Sequence, residues 1–198
     1  MLRKQVFFSA IFFLFSSVVW AQGLTFGIKA GVDLAKPFIH FKQNETFKLK
    51  EPKPFVGFNL NGIVEYRTST KFGVTLEPGF IQKGFVNNFG KGDVAVKLNY
   101  WQIPLLFDYH TTEKWAVSIG PEIAFFKKIS ANDLHESVEL SGVFGVSYRL
   151  VDHFEVGLKV GSAIAPSYNV NFTGVNGADD GKYTEYNQYA QVSIAYKI

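Results

Sequence analysis

The sequence predicts an all-β chain closed into one eight-stranded antiparallel up-and-down barrel. Three observations lead there. Apolar and polar residues alternate with period two in eight segments, 24–34, 55–67, 71–83, 98–109, 115–126, 138–150, 154–165 and 187–198. In every segment one phase is apolar and free of charge, while the other carries the charges and most of the glycine. And three short stretches, YRTSTKF (66–72), YHTTEKW (109–115) and YRLVDHF (148–154), each place two rings six residues apart between consecutive segments.

The N-terminus stands apart from this pattern. Arg3 and Lys4 precede the apolar run VFFSAIFFLFSSVVWA, which ends at the small residue Ala21. A basic start, a short apolar run and a small residue read as a secretory signal peptide over residues 1–21. The run is short for a membrane-spanning helix, and no basic cluster follows it. Residues 22–198 then form the barrel domain, one domain by length. Without Arg3 and Lys4, 18 basic residues face 17 acidic ones, and nothing in that balance points to nucleic acid. With no cysteine, the chain has no disulfide, lipid anchor or thiolate chemistry.

Taken in order, the first segment aligns Leu24, Phe26, Ile28, Ala30, Val32 and Leu34 on one face, with Lys29 and Asp33 on the other. The second sets Val56, Phe58, Leu60, Val64 and Tyr66 against Glu65. In the third, Phe72, Val74, Leu76, Pro78 and Phe80 oppose Glu77; in the fourth, Trp101, Ile103, Leu105, Phe107 and Tyr109 oppose Asp108. The fifth and sixth carry Trp115–Phe125 and Val138–Tyr148 in alternate positions, against Glu122 and Glu139. The seventh sets Phe154, Val156, Leu158, Val160, Ser162 and Ile164 against Glu155 and Lys159, and the eighth Ala190, Val192, Ile194, Tyr196 and Ile198 against Lys197. Between these apolar positions lie nine glycines and no aromatic residue.

Two barrels share such a pattern. A soluble ligand-binding barrel turns the apolar face inward, whereas a membrane barrel turns it toward lipid. The apolar phase holds fourteen rings, too much bulk for an eight-stranded lumen, which ordinary side chains already fill. The small and charged residues of the other phase suit a cramped interior where acids and bases pair. The connections also alternate. Those near 68–70, 110–114 and 151–153 are tight, and those at 35–54, 84–97, 127–137 and 166–186 are long, the arrangement of short periplasmic turns and long outer loops. Eleven residues at about 3.3 Å each, tilted about 40°, rise roughly 28 Å, enough for an apolar band of about 25 Å. Closure pairs backbone groups that hydrocarbon would leave unpaired.

On this reading Phe26, Tyr66, Phe72, Tyr109, Trp115, Tyr148, Phe154 and Tyr196 form an aromatic girdle at the periplasmic interface of an outer membrane. The charges Lys29, Asp33, Glu65, Glu77, Asp108, Glu122, Glu139, Glu155, Lys159 and Lys197 fall inside the barrel, with Arg67, Lys71, Lys83 and Arg149 near strand ends. Paired charges there predict a plugged lumen with at most a thin water path.

The stretches GIKAGVDLA (27–35), EPGFIQKG (77–84), QIPLLFDY (102–109), SIGPEIAFF (118–126) and FGVSYRL (144–150) resemble, in this order, the PorT-like family of small outer-membrane β-barrels. Asp33 and Gln102 stand where that family more often has Asn and Glu. The resemblance implies an integral eight-stranded barrel, in a family with one member tied to protein secretion. The last strand, QVSIAYKI, is similar to the assembly signal of outer-membrane barrels, with Ser193 where Gly is usual and Ile198 where an aromatic is usual.

Little in the chain points to chemistry. His40, His110, His135 and His153 show no metal-ligand spacing, and His110 reads as a solvated turn residue. His135 with Ser137 and Asp133 or Glu136 reads as a polar loop cluster rather than a catalytic one, and NGADDG (176–181) as a turn. The expectation is therefore no catalytic residue, no metal and no cofactor. The expected partners are outer-membrane lipid, the barrel-assembly machinery at the last strand, and a protein partner at the loops 35–54 and 166–186. A soluble barrel with an apolar ligand and a narrow channel remain the alternatives.

Overall fold

A computed structural model describes residues 23–42, 52–88, 92–129, 134–173 and 179–198. Every regular element among them is a strand: β1 (Leu24–Lys42), β2 (Lys53–Arg67), β3 (Phe72–Leu76), β4 (Gly79–Asn88), β5 (Asp93–His110), β6 (Trp115–Ile129), β7 (Leu134–Val151), β8 (Phe154–Ala163), β9 (Tyr168–Thr173) and β10 (Asp179–Lys197). They build eight staves, because β3 continues into β4 and β8 is followed by β9. β1 pairs with β10 on one side (Ile28↔Tyr196) and with β2 on the other (Ile28↔Gly62), so the antiparallel ring is closed and no stave is left as a sheet edge.

Proline sits at both interruptions. Between β3 and β4, Pro78 has no N–H to give to a ladder. Its carbonyl still accepts from Gly62 (2.8 Å), and Glu77 N–H reaches the Pro104 carbonyl (3.1 Å), so the stave stays in place. Between β8 and β9, Pro166 follows Ile164 and Ala165. Beyond this point β9 pairs with β10, from Asp179↔Thr173 to Glu185↔Tyr168.

The aromatic-bracketed turns owe their recurrence to hydroxyl groups. In the first, Thr68 N–H donates to the Phe72 carbonyl (3.0 Å), and Ser69 Oγ accepts from the backbone of Lys71 and Phe72. In the second, Thr111 N–H donates to the Trp115 carbonyl (3.0 Å), and Thr112 Oγ1 accepts from Lys114 and Trp115. The two share Thr-(Ser/Thr)-x-Lys-aromatic, with each hydroxyl satisfying two amides as an ST-turn does. The third differs. Val151 faces Phe154 across a two-residue turn, with a register shift after Arg149.

The strands outrun the predicted ones at the opposite end. β1 stays paired with β10 as far as Lys42↔Lys182, β4 with β5 as far as Asn88↔Asp93, and β6 with β7 as far as Ile129↔Leu134. Much of 35–54, 84–97, 127–137 and 166–186 is therefore strand, where loops were expected. Ladder hydrogen bonds need no apolar face, so the pairing continues after the alternation of sequence has faded. The remainder of those segments lies outside the described residues.

Side chains of the apolar phase point outward. Ile28 is 63 % exposed, Trp101 68 % and Leu158 62 %. The opposite phase fills the lumen, and there the absence of rings in the sequence pattern misleads. Tyr100 and Tyr189 both lie inside, fully buried or nearly so. Gly161 is the ladder partner of Tyr189, and a Cβ on it would run into that ring. The glycine makes room for the tyrosine. Replacing Gly161 with Leu is expected to displace Tyr189 and cost roughly 1–3 kcal/mol, the usual penalty of overpacking. Urea unfolding in lipid vesicles, followed by tryptophan fluorescence, measures it.

Candidate functional site: the lumen and the two rims

The lumen is stacked in polar layers. Lowest, at the turn end, Glu65 and Glu155 share Lys197 (2.8 and 2.9 Å), and Arg67 Nε donates to Glu65 (2.8 Å). Above them Glu77 lies between Lys29 and Lys159 (3.1 Å to Lys159). The middle layer is made of amides. Gln102 Nε2 donates to Asn61 Oδ1, Asn61 Nδ2 to Asn59 Oδ1, and Asn59 Nδ2 to the carboxylate of Asp33 (3.0 and 3.1 Å). Gln191 Nε2 also donates to Asn59 Oδ1 (3.1 Å). Asp108, near the turn end, accepts from Thr75 and Ser118.

The uppermost layer turns on Lys83. Its ammonium lies 3.3 Å from Glu122 and 3.0 Å from Glu139, with the rings of Tyr100 and Tyr189 at 5.0 and 4.6 Å. Tyr189 donates to Glu122 (2.6 Å), Ser167 to Glu139 (2.9 Å), and Asn187 to both Glu139 and Tyr100. The sequence pattern put Lys83 near a strand end. It lies within β4, as buried as its two glutamates. An ammonium held by two carboxylates and two ring faces is desolvated and fully compensated.

Of the charges assigned to the interior from the sequence, Asp33, Glu65, Glu77, Asp108, Glu122, Glu139, Glu155 and Lys159 are buried, and Lys29 and Lys197 are half-buried, with their ammonium groups on Glu77 and on Glu65 and Glu155. Arg67 joins the lowest layer, and Lys71 is exposed. His110 departs from expectation. It closes β5 and turns inward, 3.7 Å from Glu65, rather than standing in a solvated turn. It falls in the same phase as Asp108, so the ladder carries it into the barrel. The side chains of His135, Glu136 and Ser137, and residue 133, lie outside the described residues. So does most of NGADDG.

What the layers leave open is small. A cavity of about 40 Å³ lies between the two lower layers, lined by Lys29, Glu77, Asp108, His110 and Lys159 among others. A wider recess of about 290 Å³ opens at the turn-end rim beside Arg67, Arg149, Asp152 and His153. Among the described residues no three His, Cys, Asp or Glu side chains gather as metal ligands.

Aromatic side chains form two rows on the outer face, of which the second spans only part of the circumference. At the turn end Phe26, Tyr66, Phe72, Tyr109, Trp115, Phe154 and Tyr196 are exposed, and Tyr148 is half-buried against Trp115. Neighbours touch: Phe72–Tyr109 at 5.3 Å, Trp115–Tyr148 at 4.7 Å, Phe154–Tyr196 at 5.2 Å. The second row, not anticipated from sequence, runs through Phe58, Phe80 and Trp101 (5.4 and 6.3 Å apart) to Phe125, the ladder partner of Trp101. These rings stand eight to ten residues from the turn end of their staves, a height of roughly 21–26 Å at a tilt of ~40°.

Residues 20–177 match the family described as outer membrane protein beta-barrel domain. Among solved structures, the chain is similar to the outer membrane protein OprG from Pseudomonas aeruginosa, with a TM-score of 0.52 and 15 % identity over 90 % of this chain and 97 % of that one. It is similar also to Neisserial surface protein A, with a TM-score of 0.50 and 14 % identity over 89 % of this chain and 100 % of that one. At such identities the likeness is one of fold. No curated protein matches the sequence.

Proposed function

The chain belongs to the outer membrane protein beta-barrel domain family, and from that premise we propose that it is a closed barrel acting as a scaffold or protein-interaction element of the envelope. The barrel is an integral part of the outer membrane. The observation that carries the proposal is the lumen, in which the described residues stack charged and amide layers around a cavity of about 40 Å³, room for a water or so. A barrel with no passage does its work at its rims and on its wall.

Within this reading the turn end faces the periplasm and the extended strands face outward, with the eight turn-end rings as the periplasmic girdle. Residues 1–21 serve as the export signal, and the last strand engages the barrel-assembly machinery. The PorT-like resemblance supports an accessory role in secretion or envelope assembly. No catalysis is assigned to the chain, and no cofactor. The alternative of a soluble barrel with an apolar cavity does not fit, because the apolar face is outside and the lumen is polar. The narrow channel fits poorly for the reason just given.

Two measurements test this. The purified protein in planar bilayers is expected to give no stepwise conductance. Photo-crosslinkers at Phe38 and Val94, exposed on the extended strands, are expected to yield one adduct of defined mass in intact membranes. The same probe at Leu158, within the apolar band, is expected to yield none. Steady conductance steps without any such adduct would make the protein a channel.

A further inference from the structure

The last backbone pairs at the turn end repeat one composition. There Arg67 N–H donates to the Gly23 carbonyl, His110 to Lys71, Arg149 to Lys114 and Lys197 to His153, each at 2.8 Å. Every one of these residues except Gly23 is basic. Each base is also the turn-side neighbour of a turn-end ring, as in Tyr66-Arg67, Lys71-Phe72, Tyr109-His110, Lys114-Trp115, Tyr148-Arg149, His153-Phe154 and Tyr196-Lys197. Alternation along a strand sends the rings to the outer face and the bases to the mouth of the barrel.

Part of this charge is already matched. Glu65 and Glu155 hold Arg67 and Lys197, and His110 lies 3.7 Å from Glu65. Among the described residues Lys71, Lys114 and Arg149 make no ion pair. Arg149 is half-buried on the wall of the 290 Å³ recess, with Arg67 also on that wall, and Lys71 and Lys114 are exposed. Around the barrel Lys71 stands two staves from Lys114 and three from Arg149, roughly 10 and 14 Å at about 4.8 Å per stave. No small anion spans that distance. Two acids without an ion pair among the described residues, Glu113 and Asp152, stand exposed on the second and third turns.

We infer that the turn-end mouth docks an acidic polypeptide segment, whose carboxylates reach Lys71, Lys114 and Arg149, one of them entering the recess beside Arg67 and Arg149. A guanidinium with free donors takes a carboxylate in two parallel hydrogen bonds. Lipid phosphate is the poorer fit, because the bases do not share the outward phase of the rings. A polymer of uniform negative charge is also poorer. A polypeptide can set a neutral or basic residue opposite Glu113 and Asp152, and a polyphosphate cannot. Such docking rests on the reading of the barrel as an interaction element, and it adds a rim and a partner chemistry. The crosslinks at Phe38 and Val94 concern the opposite rim, so either can fail alone.

The experiment uses the full chain in phosphatidylcholine nanodiscs, which leave both rims in water. A fluorescent polyglutamate peptide is the probe, and its anisotropy is the readout. Heat-dependent gel mobility confirms that each variant is folded. Wild type is expected to bind the peptide and to release it as salt is raised, since exposed charges are screened. Lys71→Gln, Lys114→Gln and Arg149→Gln are each expected to weaken binding about two- to fivefold, the weight of an exposed ion pair, and the triple variant to abolish it. Glu113→Gln with Asp152→Asn is expected to tighten it. Lys97→Gln, which alters an exposed lysine at the opposite end, is expected to change nothing. An equal loss in Lys97→Gln would reduce the effect to net charge and overturn the inference. So would a wild type that binds no peptide, or one that prefers polyphosphate at equal charge. A triple variant that keeps the peptide and loses phosphatidylglycerol in native mass spectrometry would give the ring to lipid headgroups instead.

Discussion

Replacing Lys83 with Met is expected to destabilise the barrel by about 3–5 kcal/mol, among the largest effects of any single substitution in the lumen. The cost is not the loss of an attraction alone. Glu122 and Glu139 are as buried as Lys83 and lie within 3.3 and 3.0 Å of its ammonium. Without the cation two buried carboxylates share a site in which, among the described residues, no other ammonium forms an ion pair with them. The remaining donors, Tyr189, Ser167 and Asn187, are neutral. Urea titration in lipid vesicles is expected to show an earlier midpoint with an unchanged slope. The variant Lys83→Met with Glu122→Gln and Glu139→Gln is expected to recover most of the loss, since removing all the charges together leaves none uncompensated. Equal stability of the single and triple variants would mean that the layer is hydrated and contributes little.

The barrel and the inward phase were legible in the sequence for one physical reason. In the apolar band a side chain faces either hydrocarbon or the lumen, and a charge tolerates only the second. That constraint writes period-two alternation into every stave, and it places Asp33, Glu122 and Lys159 without reference to any neighbour. Where the constraint lapses, legibility lapses with it. Strand ends beyond the band are held by backbone pairing, so β1 runs to Lys42 with no apolar pattern to announce it. Tyr100 and Tyr189 fall just beyond the apolar runs of β5 and β10, and their place inside depends on contacts between staves, such as the space left by Gly161. Lys83 is central because Glu122 and Glu139 come from β6 and β7 to meet it, and no local window contains all three. One missed signal was present. Thr-(Ser/Thr)-x-Lys-aromatic recurs in two of the three bracketed turns, and it separates them from the third.

A charge on the outer face is the second large perturbation, and its depth dependence is diagnostic. Leu105 lies midway along β5 between Trp101 of the upper aromatic row and Tyr109 of the lower one, and it points outward. Leu105→Arg is expected to cost about 2–4 kcal/mol, the range for a basic side chain near the bilayer midplane, whereas Trp101→Arg carries a charge penalty of about 0–1 kcal/mol because its position borders the headgroups. The loss of the indole adds to the second figure, so Trp101→Gln serves as its baseline, and Leu105→Gln as that of the first. Folding free energies measured in lipid vesicles by urea titration give the two differences. The Arg-minus-Gln penalty should be clearly larger at Leu105 than at Trp101. If water rather than hydrocarbon touched this face, both positions would accept arginine equally, and neither aromatic row would mark an interface. A steep difference fixes the apolar band between those rows.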